Sequence, residues 1–167
     1  MGRGGVALMI VAGLALGIAA IGPSFSKGSV ADNFQLYSTR GKLVQLSELR
    51  GKVVVLDFWA SWCPPCRAAI PAMQRLHDRY AEQGVVVLGI NVRDNKDPAE
   101  FMQKMGANYR TLIDGEEVAD AYRVKGIPTI IVIDPAGKVV HRESGWGPGM
   151  ESKMREVIEA ALEHVAL

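Results

Sequence analysis

Three patterns of apolar and polar positions follow one another along the chain. The first is VALMIVAGLALGIAAI, an uncharged apolar run of 16 residues from Val6 to Ile21. The second opens at NFQLYSTRGKLVQLSELRG, where two short alternating segments flank Arg40-Gly41 and predict a hairpin. The third begins at KVVVLDFWA (52–60), whose nearly continuous apolar character predicts a central strand buried on both faces. From Cys63 to about Gln83 apolar residues return at helical spacing (Ile70, Met73, Leu76, Tyr80), and Gly84 supplies the stop. VVVLGINV (85–92) reads as a second buried strand. DPAEFMQKMG starts a helix, with Asp97 as cap and Pro98 in the first turn. TLID is a short strand and EEVADAYRV a short helix. TIIVIDPAGKVVHRESG reads as strand, turn at Pro135-Ala136-Gly137, and strand. A last helix from about Gly149 to Val165 places Met154, Val157, Ile158, Ala161 and Val165 on one face. Strands alternating with helices, then a hairpin and a closing helix, predict an α/β domain with a central mixed sheet covered on both faces.

Composition narrows the picture only a little. At 167 residues and 49% apolar content the chain suits one domain with a short appendage. Its charge of +1 comes from 19 basic and 18 acidic residues, well mixed, with no basic stripe to hold nucleic acid. The appendage is residues 1–24, followed by a linker at 25–30 and the domain at 31–167. A 16-residue helix spans about 24 Å, slightly less than the ~30 Å hydrocarbon core, so a thin membrane anchor at 6–21 is feasible. The small residues around Gly17-Ile18-Ala19 equally suit a cleavable signal peptide. A core helix is the third reading, but the run has no polar face. Arg3 before the run, with Lys27 and Asp32 after it, favours an internal N-terminus and an exported domain. With two cysteines in all, both far downstream, no lipid-attachment cysteine exists.

Those two cysteines, Cys63 and Cys66 in DFWASWCPPCRAAIP, pose the chemical question. A zinc site wants four ligands, one C-x-x-C supplies two, and His77, His141 and His164 show no ligand spacing. A structural staple across three positions restrains little chain entropy. A dithiol that cycles to a disulfide fits the context better. A buried strand, a turn and then Cys63 at a helix start put its sulfur where free N–H groups and the helix dipole favour a thiolate. The thiolate is the attacking species in thiol–disulfide exchange, and Cys66, one turn on, lies within reach to resolve a mixed disulfide.

DFWASWCPPC, with Pro71 five residues after Cys66 and GIPT at 126–129, resembles the thioredoxin fold. The longer stretch NFQLYSTRGKLVQLSELRGKVVVLDFWASWCPPCRAAIP is similar to the membrane-tethered, exported branch typified by TlpA, ResA and CcmG, and the likeness runs from about Ala31 to Gly145. The resemblance implies a thiol–disulfide oxidoreductase facing the periplasm or outer membrane surface, acting as a monomer without cofactor or metal. Its implied partners are protein disulfides, of cytochrome c or copper-site maturation type, and an upstream membrane electron donor. It also implies an N-terminal β-hairpin and an inserted segment, which RDNKDPAEFMQKMGANYRTLID would supply. Residue by residue, Cys63 becomes the nucleophile and Cys66 the resolving thiol. Pro128 occupies the family's cis position facing the disulfide and would present the backbone of Ile127 to a substrate chain. Trp62, Pro64 and Pro65 would form the exposed rim, and Pro71 would kink its helix.

Asp57 is the charged residue of an otherwise apolar strand, a costly placement unless it is neutral or partnered. Thioredoxin carries an acid at this place, six residues before the first cysteine, as proton partner of the second thiol. Desolvation should raise its pKa into the range of a useful base. Tethered reductases often have a glutamate three residues after the second cysteine; here Ala69 stands there, so Asp57 alone must supply the acidic helper. Neither Pro64 nor Pro65 carries an N–H, so the Cys63 thiolate loses a donor and its pKa should be only moderately lowered. Trp59 and the methionines Met73, Met102 and Met105 read as core. Trp146 reads as a partner contact or a cap on the last helix. Two other functions are weighed. A peroxiredoxin-like peroxidase wants threonine three residues before its cysteine, where Ala60 stands. A copper carrier needs a further soft ligand or histidine near the cysteines, and none is visible.

Overall fold

In the computed structural model the described residues are 27–163. The apolar run at 6–21, the first part of the expected linker and the last positions of the helix expected to reach Val165 lie outside them. Among the described residues no helix is long and apolar enough to cross a membrane.

The strands are β1 (Gln35–Tyr37), β2 (Leu43–Gln45), β3 (Val53–Trp59), β4 (Val85–Asn91), β5 (Arg110–Leu112), β6 (Thr129–Ile133) and β7 (Val139–Ser144). The helices are α1 (Pro64–Tyr80), α2 (Pro98–Lys104), α3 (Glu116–Ala121) and α4 (Met150–Glu163). β1 and β2 form an antiparallel hairpin, and the main sheet has the order β5-β4-β3-β6-β7. β3 runs parallel to β4, and β4 to β5, while β6 and β7 are antiparallel additions. This is the mixed sheet expected from a βαβ unit followed by a hairpin. The expected insert supplies α2 and the edge strand β5.

Alternation along β3 divides the interior. Val53, Val55 and Trp59 pack with Ile70, Met73 and Leu76 of α1 and with Met154, Ile158 and Ala161 of α4. Val54, Leu56 and Phe58 face the other way, onto Phe34, Leu46, Val118 and Tyr122 beneath the hairpin and α3. By the same alternation Asp57 belongs to the α1 side. α1 presents Cys66, Ala69, Ile70, Met73, Leu76 and Tyr80 inward, and Pro71 lies within it. A 3-10 turn at Ala81–Gln83 leads to Gly84, whose φ of 88° is the left-handed stop expected from sequence. Asp97 caps α2 by accepting from the amides of Ala99 and Glu100.

The stretch approaching the domain is fastened from Gly28 onward. Gly28 N–H donates to Val139 O, Val139 N–H to Ser29 O, and Ala31 N–H to Gly137 O. Trp146 is partly buried against the α1-side core, and Trp59 stacks on Phe101 with ring centroids 5.5 Å apart.

Candidate functional site: a disulfide at a helix start beside a cis proline

The site is built where β3 ends and α1 begins. Cys63 is the N-cap of α1, in extended conformation, and is joined to Cys66 by a disulfide with Cα atoms 5.2 Å apart. With prolines at 64 and 65, the first amide able to serve the cap is that of Cys66, which donates to Cys63 Sγ at 3.2 Å. A single N–H together with the helix dipole stabilises negative charge on that sulfur. Cys63 keeps 3% of its surface and Cys66 none. Around them Pro64 and Pro65 are exposed, and Trp62 is 55% exposed. The Trp62 indole is anchored all the same, its N–H donating to Arg93 O at 2.8 Å.

The opposite wall is the loop into β6. The Ile127–Pro128 bond is cis. The Ile127 carbonyl oxygen lies 3.6 Å from Cys63 Sγ, Ile127 is half-buried and Pro128 is buried. The turn before Cys63 is held by Asp94, a residue the sequence did not flag. Its carboxylate accepts from Ser61 N–H at 2.5 Å, from the Ser61 hydroxyl at 2.7 Å and from Asn91 Nδ2 at 3.0 Å. Burial pulls its pKa upward, but the bonds from Ser61, Asn91 and the Lys96 amide outweigh that and hold it below the usual range. Residues 61 and 94 are 33 apart in sequence, so only the adjacent ends of β3 and β4 bring them together.

Asp57, on the α1 side of β3, is fully buried. Burial pushes its carboxyl up to about 7, against a smaller downward pull from the Tyr109 hydroxyl, which donates to Oδ2 at 3.3 Å. Oδ1 has no hydrogen-bond partner among the described residues. The pKa of Tyr109 is raised well above the phenol range by burial and then by the Asp57 charge, so its hydroxyl remains a donor. Ala69 is fully buried in the α1 face, and Ala60, without a hydroxyl, accepts from Cys63 N–H at 3.2 Å.

Comparison with known proteins agrees with this geometry. The AhpC/TSA family matches residues 28–142. The thiol-disulfide oxidoreductase ResA of Bacillus subtilis is 41% identical over 124 residues, covering 73% of this chain and 69% of that protein. ResA of Halalkalibacterium halodurans is 37% identical over 131 residues, covering 77% and 73%. A thiol:disulfide interchange protein of DsbE type from Chlorobium tepidum superposes with a TM-score of 0.78 at 37% identity, over 83% of this chain and 99% of that one. The expected thioredoxin fold is thereby established. With its buried disulfide at a helix start, the chain belongs to the AhpC/TSA family and, within it, to the ResA-type thiol-disulfide oxidoreductases.

Proposed function

We propose that this enzyme reduces protein disulfides on the extracytoplasmic side of a membrane, with Cys63 attacking, Cys66 resolving and Asp57 as proton acceptor. The Cys63 thiolate attacks one sulfur of a client disulfide. A Cys63–client bond forms, the client S–S bond breaks, and the departing client thiolate takes a proton from solvent. The Cys66 thiol then gives its proton to Asp57, and its thiolate attacks Cys63 Sγ. The Cys63–Cys66 disulfide forms, and the second client thiolate leaves and takes a proton from solvent. The client has gained two electrons and two protons, and an upstream dithiol donor must return the electrons. Trp62, Pro64, Pro65 and the Ile127 backbone beside Pro128 form the surface that receives the client strand. The observation that carries this reading is the Cys66 N–H directed at Cys63 Sγ, because it favours charge on one sulfur only.

The clients that fit are those of cytochrome c or copper-site maturation, thiol-bearing proteins that must be kept reduced outside the cytoplasm. Residues 6–21 would tether the enzyme to the membrane, as a monomer. Expressing Cys66→Ala in cells tests both parts. Client proteins should accumulate as mixed disulfides through Cys63, and a phosphatase fused at the C-terminus should be active. Capture through residue 66 in the reciprocal Cys63→Ala variant, or an inactive phosphatase, would overturn the role assignment or the location respectively.

A further inference from the structure

A buried base is useful only if its ionised form is populated at working pH, and for Asp57 burial alone opposes that. Three features outside the cysteine motif converge on this carboxyl. The first is Tyr109, immediately before β5, whose hydroxyl reaches Asp57 Oδ2 across the intervening strand. The second is Gly89, the residue of β4 directly opposite Asp57 in the parallel pair. A Cβ at Gly89 would stand 3.0 Å from Tyr109 Cε2 and 3.0 Å from Trp59 Nε1. The missing side chain is therefore the space through which tyrosine reaches over β4. The third is Gln74 of α1, whose Oε1 accepts from the amides of Asn108 at 2.7 Å and Tyr109 at 3.2 Å, while its Nε2 donates to Asn108 Oδ1 at 2.9 Å. The backbone that carries Tyr109 is thus clamped to the helix that carries the cysteines.

We propose that Tyr109, held by Gln74 and admitted by Gly89, is the positioning residue of Asp57: it holds Oδ2 as the hydrogen-bonded oxygen and leaves Oδ1 for the Cys66 proton. This rests on the reading of Asp57 as the base and adds the residue that makes it serviceable. A hydrogen bond from a donor that stays protonated favours the carboxylate over the acid. Among the described residues Tyr109 is the one side chain that shifts this carboxyl, beside burial itself. In the core layer on this side of the sheet, α1 and its cap contribute Cys66 and Cys63. α4 contributes Met154, Ile158 and Ala161, β4 Val87 and Gly89, and β6 Ile130 and Val132. Tyr80, in the same core layer, gives its hydroxyl to Glu159 at the other end of α1. The cations Arg40, Lys42 and Arg110 line a cleft on the outer side of Tyr109, together with His77.

The test uses the full chain and three variants, Tyr109→Phe, Asp57→Asn and the double substitution, with the single-turnover rate of mixed-disulfide resolution followed from pH 5 to 9.5. Loss of the hydroxyl should move the acid limb of the profile up by about one pH unit, slowing resolution about fivefold at pH 7 and scarcely at pH 9. The carboxyl carbon of Asp57, followed by NMR, should titrate higher by the same amount. Installing 3-fluorotyrosine at 109, a stronger donor, should move both the other way, a readout available even if the phenylalanine variant fails to fold. In the Asp57→Asn background Tyr109→Phe should have no further effect on the profile. If Asp57→Asn leaves the profile unchanged, the base assignment fails and this proposal with it. If Asp57→Asn slows resolution but neither change at 109 moves the profile or the titration, Tyr109 is merely core and only this proposal is overturned.

Discussion

Two tyrosines are buried on opposite faces of one sheet, and both spend their hydroxyls on oxygens distant in sequence. Tyr122, beneath the hairpin, donates to the backbone carbonyl of Asp32 at 2.6 Å and packs against Phe34 and Phe58. Tyr109, on the α1 side, donates to the side chain of Asp57 at 3.3 Å. The donors are alike; the acceptors are not. A peptide carbonyl does not titrate, so the Tyr122 bond fastens the start of the domain to α3 at every pH. A carboxyl does titrate, so the Tyr109 bond changes the proton affinity of its partner. One face of the sheet is held by its tyrosine, and the other is tuned by it.

Three substitutions can break or sharpen that contrast. The largest effect is expected from Asp57→Asn. Because Asp57 titrates near 7 when folded, well above an exposed aspartate, the folded state holds the extra proton between about pH 4 and pH 7. The wild type therefore loses stability as pH rises through that window, and the asparagine variant does not. Its advantage in urea or thermal unfolding should be nil near pH 4 and reach roughly 4 kcal/mol by pH 8. An equal advantage at both pH values would place Asp57 in water. Gly89→Ala comes next. Its new methyl must displace Tyr109 or Trp59 by a few tenths of an ångström, at a cost of about 1–3 kcal/mol. Resolution should slow near neutral pH, as expected of Tyr109→Phe. A variant destabilised without any change in pH profile would show that the ring gives way while the hydroxyl keeps its place. The smallest effect belongs to Tyr122→Phe, about 1 kcal/mol of stability lost uniformly from pH 5 to 9, with exchange rates unaltered. A pH-dependent loss there would erase the distinction between the two faces.

Much of this was legible in one dimension because the signals are local. Pro98 after Asp97, Gly84 after the long helix and the apolar run at 53–59 each mark an element through the chemistry of neighbouring residues. The helix-start placement of Cys63 follows from the strand–turn–helix order, and the amide of Cys66 is the first N–H the prolines leave to it. Asp94 and Tyr109 escaped for one shared reason. Asp94 lies 33 residues from Ser61, and Tyr109 lies 52 from Asp57. Neither sits in a motif, and an aspartate in a loop or a tyrosine before a three-residue strand is unremarkable by pattern. A faint signal did exist in Gly89, since a glycine inside a buried strand marks a close approach by another group.

Sequence by itself determined the alternation that makes β3 a buried strand, the caps that start α1 and α2, and the pair of thiols one helical turn apart. These depend on backbone geometry within a few residues, which the chain carries wherever it goes. Tertiary structure decided which oxygens and hydroxyls meet: Asp57 with Tyr109, Ser61 with Asp94, Ile127 with Cys63. The order β5-β4-β3-β6-β7 places the insert's strand β5 beyond β4 on one side of β3 and the cis-proline loop leading into β6 on the other. Proton affinity in the interior follows from burial and from those neighbours, and both exist only once the sheet has assembled.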